Sequence, residues 1–519
     1  MLLRPETLPR DPDILIPMMV ELDAENEHLR QLVKTYQGMV FGSRSERSSV
    51  ILDGQDSLDL GDLATDITPV AANDDAPAGE ARPARKPRRN VGALPKHLPR
   101  IEQVIEPESA DCPCCAGQLH RIGEDIAEAV EIIPAILRVI RTVRPKYACR
   151  VCEGAIVQAP ARQRIIAGGL ATTSLVAWVA TAKFAWYLPL YRQTQMLAGY
   201  GLTLDRSTLA QWVKRAAWWL EGLYDLQLRF IHSQPRIFCD ETRMPVFEAG
   251  RGKVRLAQFW SHAIDDRPWN GPAPPAVAYV FAQGRGHCEI KEQLAQYQGI
   301  LQVDGYAAYK ALEKAGRAPG PITLVFCLAH ARRKFVDVHK DTKSPASAEI
   351  IEQIGRVYAV EARIRGTSAE HRLAVRQAET VPLMAALKAL LETRLAQVST
   401  QSSLAKAIRY ALGHWTGLIR FLEDGRIEVD TNTVERSMRG IALGRKSSLF
   451  AGNDGGAHSW AVLASLLQTA KLNGLDPYTW LNDVLERMVS GEVKNNQLEQ
   501  LLPWNWRARQ ATLALDMAA

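Results

Sequence analysis

The sequence predicts a multidomain α+β protein whose centre is a mixed sheet with helices packed on it. Three observations carry this. At 519 residues the chain is too long for one compact core. From residue 236 the apolar runs follow a β-β-β-α-β-α-β order: RIFCDET, RLAQFWSHAI, AVAYVFAQ, a helix over 289–297, GILQVDGY, another helix, then ITLVFCLAH. Helical stretches without strand signals flank this block at 170–230 and 345–427. The formal charge of +6 is only mildly basic, so its distribution matters more than its sum.

The opening MLLRPETLPRD has no apolar core followed by a small-residue cleavage site, so no secretory signal is expected. The longest apolar stretch, 175–191, is broken by Lys183 and Pro189 and is too short to span a bilayer. A cytoplasmic protein without a membrane partner is expected. Its eight cysteines would then be reduced, which favours metal ligation or burial over disulfides.

Residues 1–42 read as a coiled-coil helix. Leu15, Leu22, Leu29 and Tyr36 fall seven apart, as do Met19, Asn26, Val33 and Val40. They fit d and a positions, with Asn26 as the polar residue that fixes register. This predicts a homo-oligomer; a short amphipathic helix packed on its own chain has the same pattern. Residues 43–99 read as a flexible linker, acidic at Asp53, Asp56, Asp59, Asp62 and Asp66, then basic at Arg82, Arg85, Lys86, Arg88 and Arg89. The basic cluster suits either DNA phosphates or a solvated tether.

Residues 100–165 form a candidate zinc-binding domain. Cys112-x-x-Cys115 is followed, after 33 residues, by Cys149-x-x-Cys152. Two such pairs suit a closed, tetrahedral, structural zinc site, because each knuckle presents two thiolates. The gap is long for a ribbon and should hold strands, as the alternation at Val139, Arg141 and Val143 suggests. Cys114 is then the spare. Four unrelated buried cysteines are the bland reading.

Residues 166–232 are helical, and LAGYGLTLDRSTLAQWVKRA has the pattern of a helix-turn-helix. Asp205 would cap a second helix with Leu209, Trp212, Val213 and Ala216 inward. Arg206, Gln211, Lys214 and Arg215 would point outward to a DNA groove. An ordinary helical hairpin fits the same pattern.

Asp240 is expected at the end of the first strand of the central block and Asp304 at the end of the fourth. Glu435 arrives on a helix that begins near Asp430, after the inserted helices. Three converging carboxylates repel one another unless a divalent cation sits between them, and hard oxygen ligands suit Mg²⁺ or Mn²⁺. Two such ions activate an attacking hydroxyl and stabilise the leaving oxygen of a phosphodiester. Lone carboxylates at strand ends are common, however, and Asn432-x-x-Glu435 also fits a capping box. Were Glu435 only a cap, the third carboxylate would be sought at Glu428 or Asp430. Arg332, Arg333 and Lys334, with Arg436, Arg439, Arg445 and Lys446, give a basic rim suited to a DNA backbone.

VDGY, CLAHARRKF and NTVERSMRGIALGRKSSLFAGNDGGA resemble the transposases of the insertion sequence 66 family. So do FGSRSER, RPKYACRVCEGAIVQAP, TAKLNGLDPYTWL and LLPWNW. The resemblance runs from about residue 15 to 506. It implies a DDE transposase that cleaves and joins DNA strands with two metal ions held by Asp240, Asp304 and Glu435. It further implies an RNase H-like catalytic domain over 233–342 and 428–455, a helical insertion at 343–427 and a helical C-terminal region at 456–519. A leucine-zipper-like start, structural zinc and companion proteins of the same element also belong to it. Cys327-x-x-His330 resembles a signature seen between the second Asp and the Glu in several DDE families. The family's LFAGS reads LFAGN here, with Asn453. The rival functions are a domesticated non-catalytic DNA-binding protein and an RNase H-like nuclease. Retention of all three carboxylates counts against the first.

Overall fold

The computed structural model describes residues 94, 99–107, 109–133, 136–151, 154–248, 250–313 and 316–507. The heptads of 1–42, the basic cluster at 82–89 and Cys152 lie outside the described residues. Within them the chain is a mixed α+β structure with two sheets.

The smaller sheet fills the gap between the cysteine pairs. β1 (Arg100–Val104) runs parallel to β3 (Ile136–Cys149), which pairs antiparallel along its length with β2 (Leu119–Ile133); β4 (Ile156–Gln158) joins the Cys149 end of β3. The expected alternation is present: Val139 and Val143 are buried, while Arg141 reaches outward to Glu102 at 3.8 Å. Val130, Leu137 and Val139 belong to the main core, whereas among the described residues the knuckle end has its own small cluster of Cys112, Leu119 and Cys149, with Tyr147, Ala155 and Val157 packed against it. So few apolar groups cannot hold a fold by themselves, which is the situation a metal relieves.

Three helices follow: α1 (Thr173–Phe184), α2 (Leu190–Gly199) and α3 (Arg206–His232). The α2–α3 turn carries Gly201 at φ +84°, and Leu209, Trp212, Val213 and Ala216 are buried as expected. Asp205 holds the N-cap position, but its carbonyl, rather than its carboxylate, takes the first-turn amides of Thr208 and Leu209. At 27 residues α3 is far longer than a recognition helix needs. Its second half crosses the core, where Gln227 donates to the carbonyls of Val277 and Ser465.

The larger sheet has the order β7-β6-β5-β8-β9. Its strands are β5 (Arg236–Glu248), β6 (Lys253–Ile264), β7 (Ala276–Ala282), β8 (Gly299–Val303) and β9 (Ile322–Phe326). The first three form an antiparallel meander, and β8 and β9 add in parallel to β5. Parallel addition needs a crossover, which α4 (His287–Gln293) helps supply; α5 (Ala307–Lys310) follows β8. Ile237, Phe238, Phe259, Trp260, Leu301 and Leu324 are fully buried, so these strands read as continuous apolar runs.

After β9 come α6 (Leu328–Thr342), α7 (Pro345–Ile364), α8 (Ala369–Val375), α9 (Val381–Gln397), α10 (Ser403–Gly413) and α11 (Trp415–Ile419). The chain then enters α12 (Asn432–Ser448), α13 (Asp454–Leu472) and α14 (Pro477–Val489). Both sheet edges are covered. The β7 amides of Val277 and Tyr279 donate to Thr469 Oγ1 (3.0 Å) and Ser465 Oγ (2.7 Å) on α13. On β9, Leu324 donates to Glu313 at 3.2 Å and accepts from Arg420. Strand edges closed this way cannot recruit another chain.

Two local expectations differ from the structure. β5 does not end near Asp240 but runs on to Glu248 against β6, so Asp240 lies within the strand. The run ITLVFCLAH changes type at Cys327, which is the N-cap of α6. A buried helix start is as apolar as the strand before it, so periodicity does not mark the junction.

Candidate functional site

The β5–β8 ladder sets the first relationship. Arg236, Ile237 and Phe238 lie opposite Ile300, Leu301 and Gln302, and β8 ends at Val303. Extending that register by two residues sets Asp240 opposite Asp304, where β5 continues without its parallel neighbour. Ligand sites of open α/β sheets form just beyond such strand ends. Asp240 also pairs across β6 with Ser261, whose hydroxyl lies 3.1 Å from that of Ser437 on α12. Cross-strand partners share a sheet face, so α12 covers the face that carries Asp240.

Asp304 sits in a tight turn. Its Oδ1 accepts the Tyr306 amide at 2.8 Å, and its carbonyl accepts the Tyr410 hydroxyl at 3.0 Å. Gly305 adopts φ +97°, and a Cβ there would come within 2.9 Å of Tyr410 Oη. The inserted helix α10 is thus seated on the Asp304 turn.

Glu435 is buried in the first turn of α12. Its Oε1 accepts the Thr431 hydroxyl at 3.2 Å and lies 3.6 Å from His330 Nδ1, while Oε2 lies 3.9 Å from Arg333. The alternative capping box does not form. Thr431, not Asn432, is the N-cap, and the Asn432 backbone and side-chain amides both turn to Asp430, at 3.1 and 2.7 Å. Glu428 is also engaged elsewhere, with Arg372 at 2.7 Å and Arg365 at 3.5 Å.

Burial pushes the Asp240 carboxyl well above the usual range, and the charges of Asp304, Glu241 and Glu435 push it further. The three expected carboxylates therefore share one electrostatic environment. They do not all lie within 4.8 Å of one another, unlike Cys327, His330 and Glu435, which do. Hard carboxylate oxygens under mutual repulsion fit Mg²⁺ or Mn²⁺. Burial also raises Asp430 to about 6, with Glu428 and Glu435 adding to the shift and the Asn432 amide opposing it.

Sequence reasoning missed the residues behind this cluster. Glu241, raised by burial and by Asp304, is held by Arg285 at 2.6 Å and by the Tyr309 hydroxyl at 2.9 Å. The Arg285 guanidinium stacks 4.0 Å over Tyr306. Adjacency to Asp240 was the one available signal for Glu241; nothing local marked Arg285.

Among the residues expected to meet DNA, Arg206, Gln211, Lys214, Arg332, Arg436 and Lys446 are exposed, and Arg439 is half-buried. Three others are occupied. Arg215 donates to the Ile165 carbonyl at 3.0 Å and stacks on Trp218, because a long helix brings it against the preceding loop rather than outward. Arg333 faces Glu435, and Arg445 donates to the Arg243 carbonyl of β5.

In the knuckle, Cys112, Cys115 and Cys149 have their sulfurs within 4.8 Å of one another, with Cys114 exposed. Cys115 and Cys149 stand 3.6 Å apart, too far for a disulfide and close to the roughly 3.8 Å between two thiolates on a tetrahedral zinc. The Cys112 amide and carbonyl bond to Gly117 and Ala116, and Ala116 is left-handed at φ +54°. This arrangement is compatible with structural zinc.

Comparison with known families agrees with this organisation. The profile described as "Transposase IS66 family" matches residues 168–459, and "zinc-finger binding domain of transposase IS66" matches 109–153. "IS66 C-terminal element" matches 465–504, and "Transposase C of IS166 homeodomain" matches 28–102. The chain is also similar to uncharacterised proteins of Sinorhizobium fredii. It is 56% identical to y4jD over 98% of this chain and 99% of the relative. It is 42% identical to y4qI over 92% and 89%, and 36% identical to y4hP over 96% and 91%. With one profile covering more than half the chain and the others distributed along it, this protein belongs to the IS66 transposase family.

Proposed function

We propose that the protein is a DDE transposase that cleaves and joins DNA strands, with Asp240, Asp304 and Glu435 as its catalytic carboxylates. The observation that carries this is the β5–β8 register, with Asp240 and Asp304 each two residues beyond the Phe238–Gln302 pair. The order β7-β6-β5-β8-β9, antiparallel on one side and parallel on the other, supports an RNase H-like core over 233–342 and 428–455.

The three carboxylates would hold two Mg²⁺ or Mn²⁺ ions, which when bound activate the attacking water or 3′-hydroxyl and stabilise the leaving oxygen. Thr431 orients Glu435 through its hydroxyl, and the Tyr306 amide and Tyr410 hydroxyl fix the Asp304 turn. Arg285 pairs with Glu241 and offsets part of the negative charge that this fourth carboxylate adds beside Asp240 and Asp304. Exposed Arg332, Arg436 and Lys446 offer donors to the DNA backbone, and Arg206, Gln211 and Lys214 offer a second contact from the start of α3. Cys112, Cys115, Cys149 and Cys152 would hold zinc, and residues 1–42 would mediate self-association. The partners are DNA, further copies of this chain and companion proteins of the element.

The test is cleavage of DNA carrying the element's own end by the purified full chain. Mg²⁺-dependent strand cleavage is expected from the wild type. It should fall at least about 100-fold in Asp240→Asn and Asp304→Asn, with end binding retained. Wild-type cleavage rates in both variants would overturn the reading.

A further inference from the structure

We propose that Cys327, His330 and Glu435 form a second zinc site, which anchors Glu435 at the end of β9, beside the carboxylate cluster. It shares Glu435 with the catalytic reading above, but it rests on different neighbours.

The chain builds this site from one helix start and a facing helix. Cys327 is the N-cap of α6, and His330 lies in the first turn of that helix, so both point to one side of its N-terminal end. Glu435 comes from the first turn of α12. One ligand atom from each of the three lies within 4.8 Å of the others. Cys327 and Glu435 are buried and His330 is partly so. A thiolate, an imidazole and a carboxylate form a mixed soft and borderline donor set, which favours zinc over magnesium or calcium.

Two buried polar atoms here lack hydrogen-bond partners. His330 Nδ1 is one, since Glu435 Oε1 at 3.6 Å is beyond hydrogen-bond range; the Tyr358 hydroxyl, near Asp430, Cys327 and Glu435, is the other. Buried polar groups are nearly always satisfied, so an orphaned imidazole nitrogen aimed at a carboxylate and a thiol marks the place of a missing ligand. The surrounding shell is of the kind a metal site needs. The Thr431 amide donates to Cys327 Sγ at 3.3 Å, and its hydroxyl donates to Glu435 Oε1 at 3.2 Å, so one residue orients two ligands. The second oxygen of Glu435, Oε2, lies 3.9 Å from Arg333 on the helix that carries His330.

Zinc counting on the full-length chain, by plasma emission after exhaustive dialysis, tests this. About two zinc ions per chain are expected, one from the knuckle and one from this site. Cys327→Ser should lower the count by one. Because Cys327 is fully buried, that variant risks misfolding, so His330→Gln, at a partly exposed position, is the parallel arm and should also lose one. Asp240→Asn should keep both ions. A wild-type count of about one, or a count that neither Cys327→Ser nor His330→Gln lowers, overturns the proposal and leaves His330 as a plain neighbour of Glu435. The catalytic reading fails separately, by undiminished cleavage in Asp240→Asn with the zinc count unchanged.

Discussion

Gln302 and Glu428 exchange two hydrogen bonds: the Gln302 side-chain amide donates to the Glu428 carbonyl at 2.8 Å, and the Glu428 backbone N–H donates to Gln302 Oε1 at 3.1 Å. The pair mimics one rung of a strand ladder. It docks the chain returning from the helical insertion onto β8, two residues before Asp304 and seven before Glu435. The same Oε1 accepts Arg236 at 3.2 Å. Gln302→Leu would leave the Glu428 amide and carbonyl and one Arg236 donor unpaired in a buried setting. A loss of roughly 3 kcal/mol in denaturant unfolding is expected. A loss below about 1 kcal/mol would show that other groups or water replace the rung.

Arg372 makes the second tie between insertion and core. It is buried and bonds to Glu361 at 3.4 Å and to Glu428 at 2.7 Å. Arg376, also buried, binds both oxygens of Glu361, Oε1 at 2.8 Å and Oε2 at 2.7 Å. Removing Arg372 leaves buried Glu428 with only the 3.5 Å contact to Arg365, so Arg372→Met should destabilise the protein by about 3 kcal/mol. Little screening reaches a buried network, so the loss should be nearly the same at low and high salt. A loss that vanishes at high salt would place the network in solvent contact.

Acid should weaken the fold through a histidine pair. His232 Nε2 lies 3.3 Å from His262 Nδ1, and His262 Nε2 lies 2.9 Å from Gln293. Burial lowers both rings, His232 to about 3 with help from the neighbouring His262, and His262 to about 4 against the Gln293 contact. The unfolded chain protonates near pH 6.5 and the folded one does not. Stability is therefore full above pH 6.5 and is lost as pH falls toward 4, by about 1.4 kcal/mol per unit and ring, or roughly 2 kcal/mol per ring at pH 5. Asp430, raised to about 6, has the opposite sign and offsets part of this. Unfolding free energy measured from pH 7.5 to 5 should fall less steeply in His262→Gln than in the wild type. Equal slopes would clear the pair.

The main sheet was legible because its strands are apolar runs bounded by Gly and Pro, and the turn glycines Gly250 and Gly252 take the left-handed conformations such turns need. The strand gap between the cysteine pairs was legible from alternation at Val139 and Val143. What stayed hidden was contact between distant segments. No local pattern says that Arg215 reaches back to Ile165, that Glu428 answers Gln302, or that Arg285 neutralises Glu241. Asn432-x-x-Glu435 shows the limit well. Spacing alone permits a capping box, yet Asp430 captures the Asn432 amides and moves the cap to Thr431.

The cysteine knuckle separates its members by position, not by burial. Cys112 and Cys149 are buried, Cys115 and Cys114 are both exposed, and of these four only Cys114 stands outside the sulfur cluster. Cys149→Ser should release zinc and melt the small Cys112–Leu119–Cys149 cluster, seen as faster amide exchange over 109–125 and 144–158. Cys114→Ser should change neither. Undiminished zinc in Cys149→Ser would exclude that thiol as a ligand.

Glu435 gives the sharpest separation between structure and chemistry. Its carboxylate is buried, accepts from Thr431 and sits in the first turn of α12, where negative charge also favours the helix. A purely structural glutamate would do all of this. Glutamine keeps the length, the volume and an oxygen able both to accept from Thr431 and to reach the proposed zinc site, where Cys327 and His330 remain, so Glu435→Gln should cost only about 1 kcal/mol, from weakened helix-dipole, Arg333 and zinc interactions. A neutral amide is a much poorer ligand for Mg²⁺. It also removes one of the charges that raise Asp240, so the carboxyl of Asp240 should move back toward its ordinary range. Three readouts are then expected together: a near-native melting temperature, unchanged binding to end DNA, and strand cleavage reduced at least about 100-fold. Substantial Mg²⁺-dependent cleavage by Glu435→Gln would return this residue to a helix-start role. Asp430 would then be the remaining candidate for the third carboxylate, because Glu428 is committed to Arg372 and Arg365.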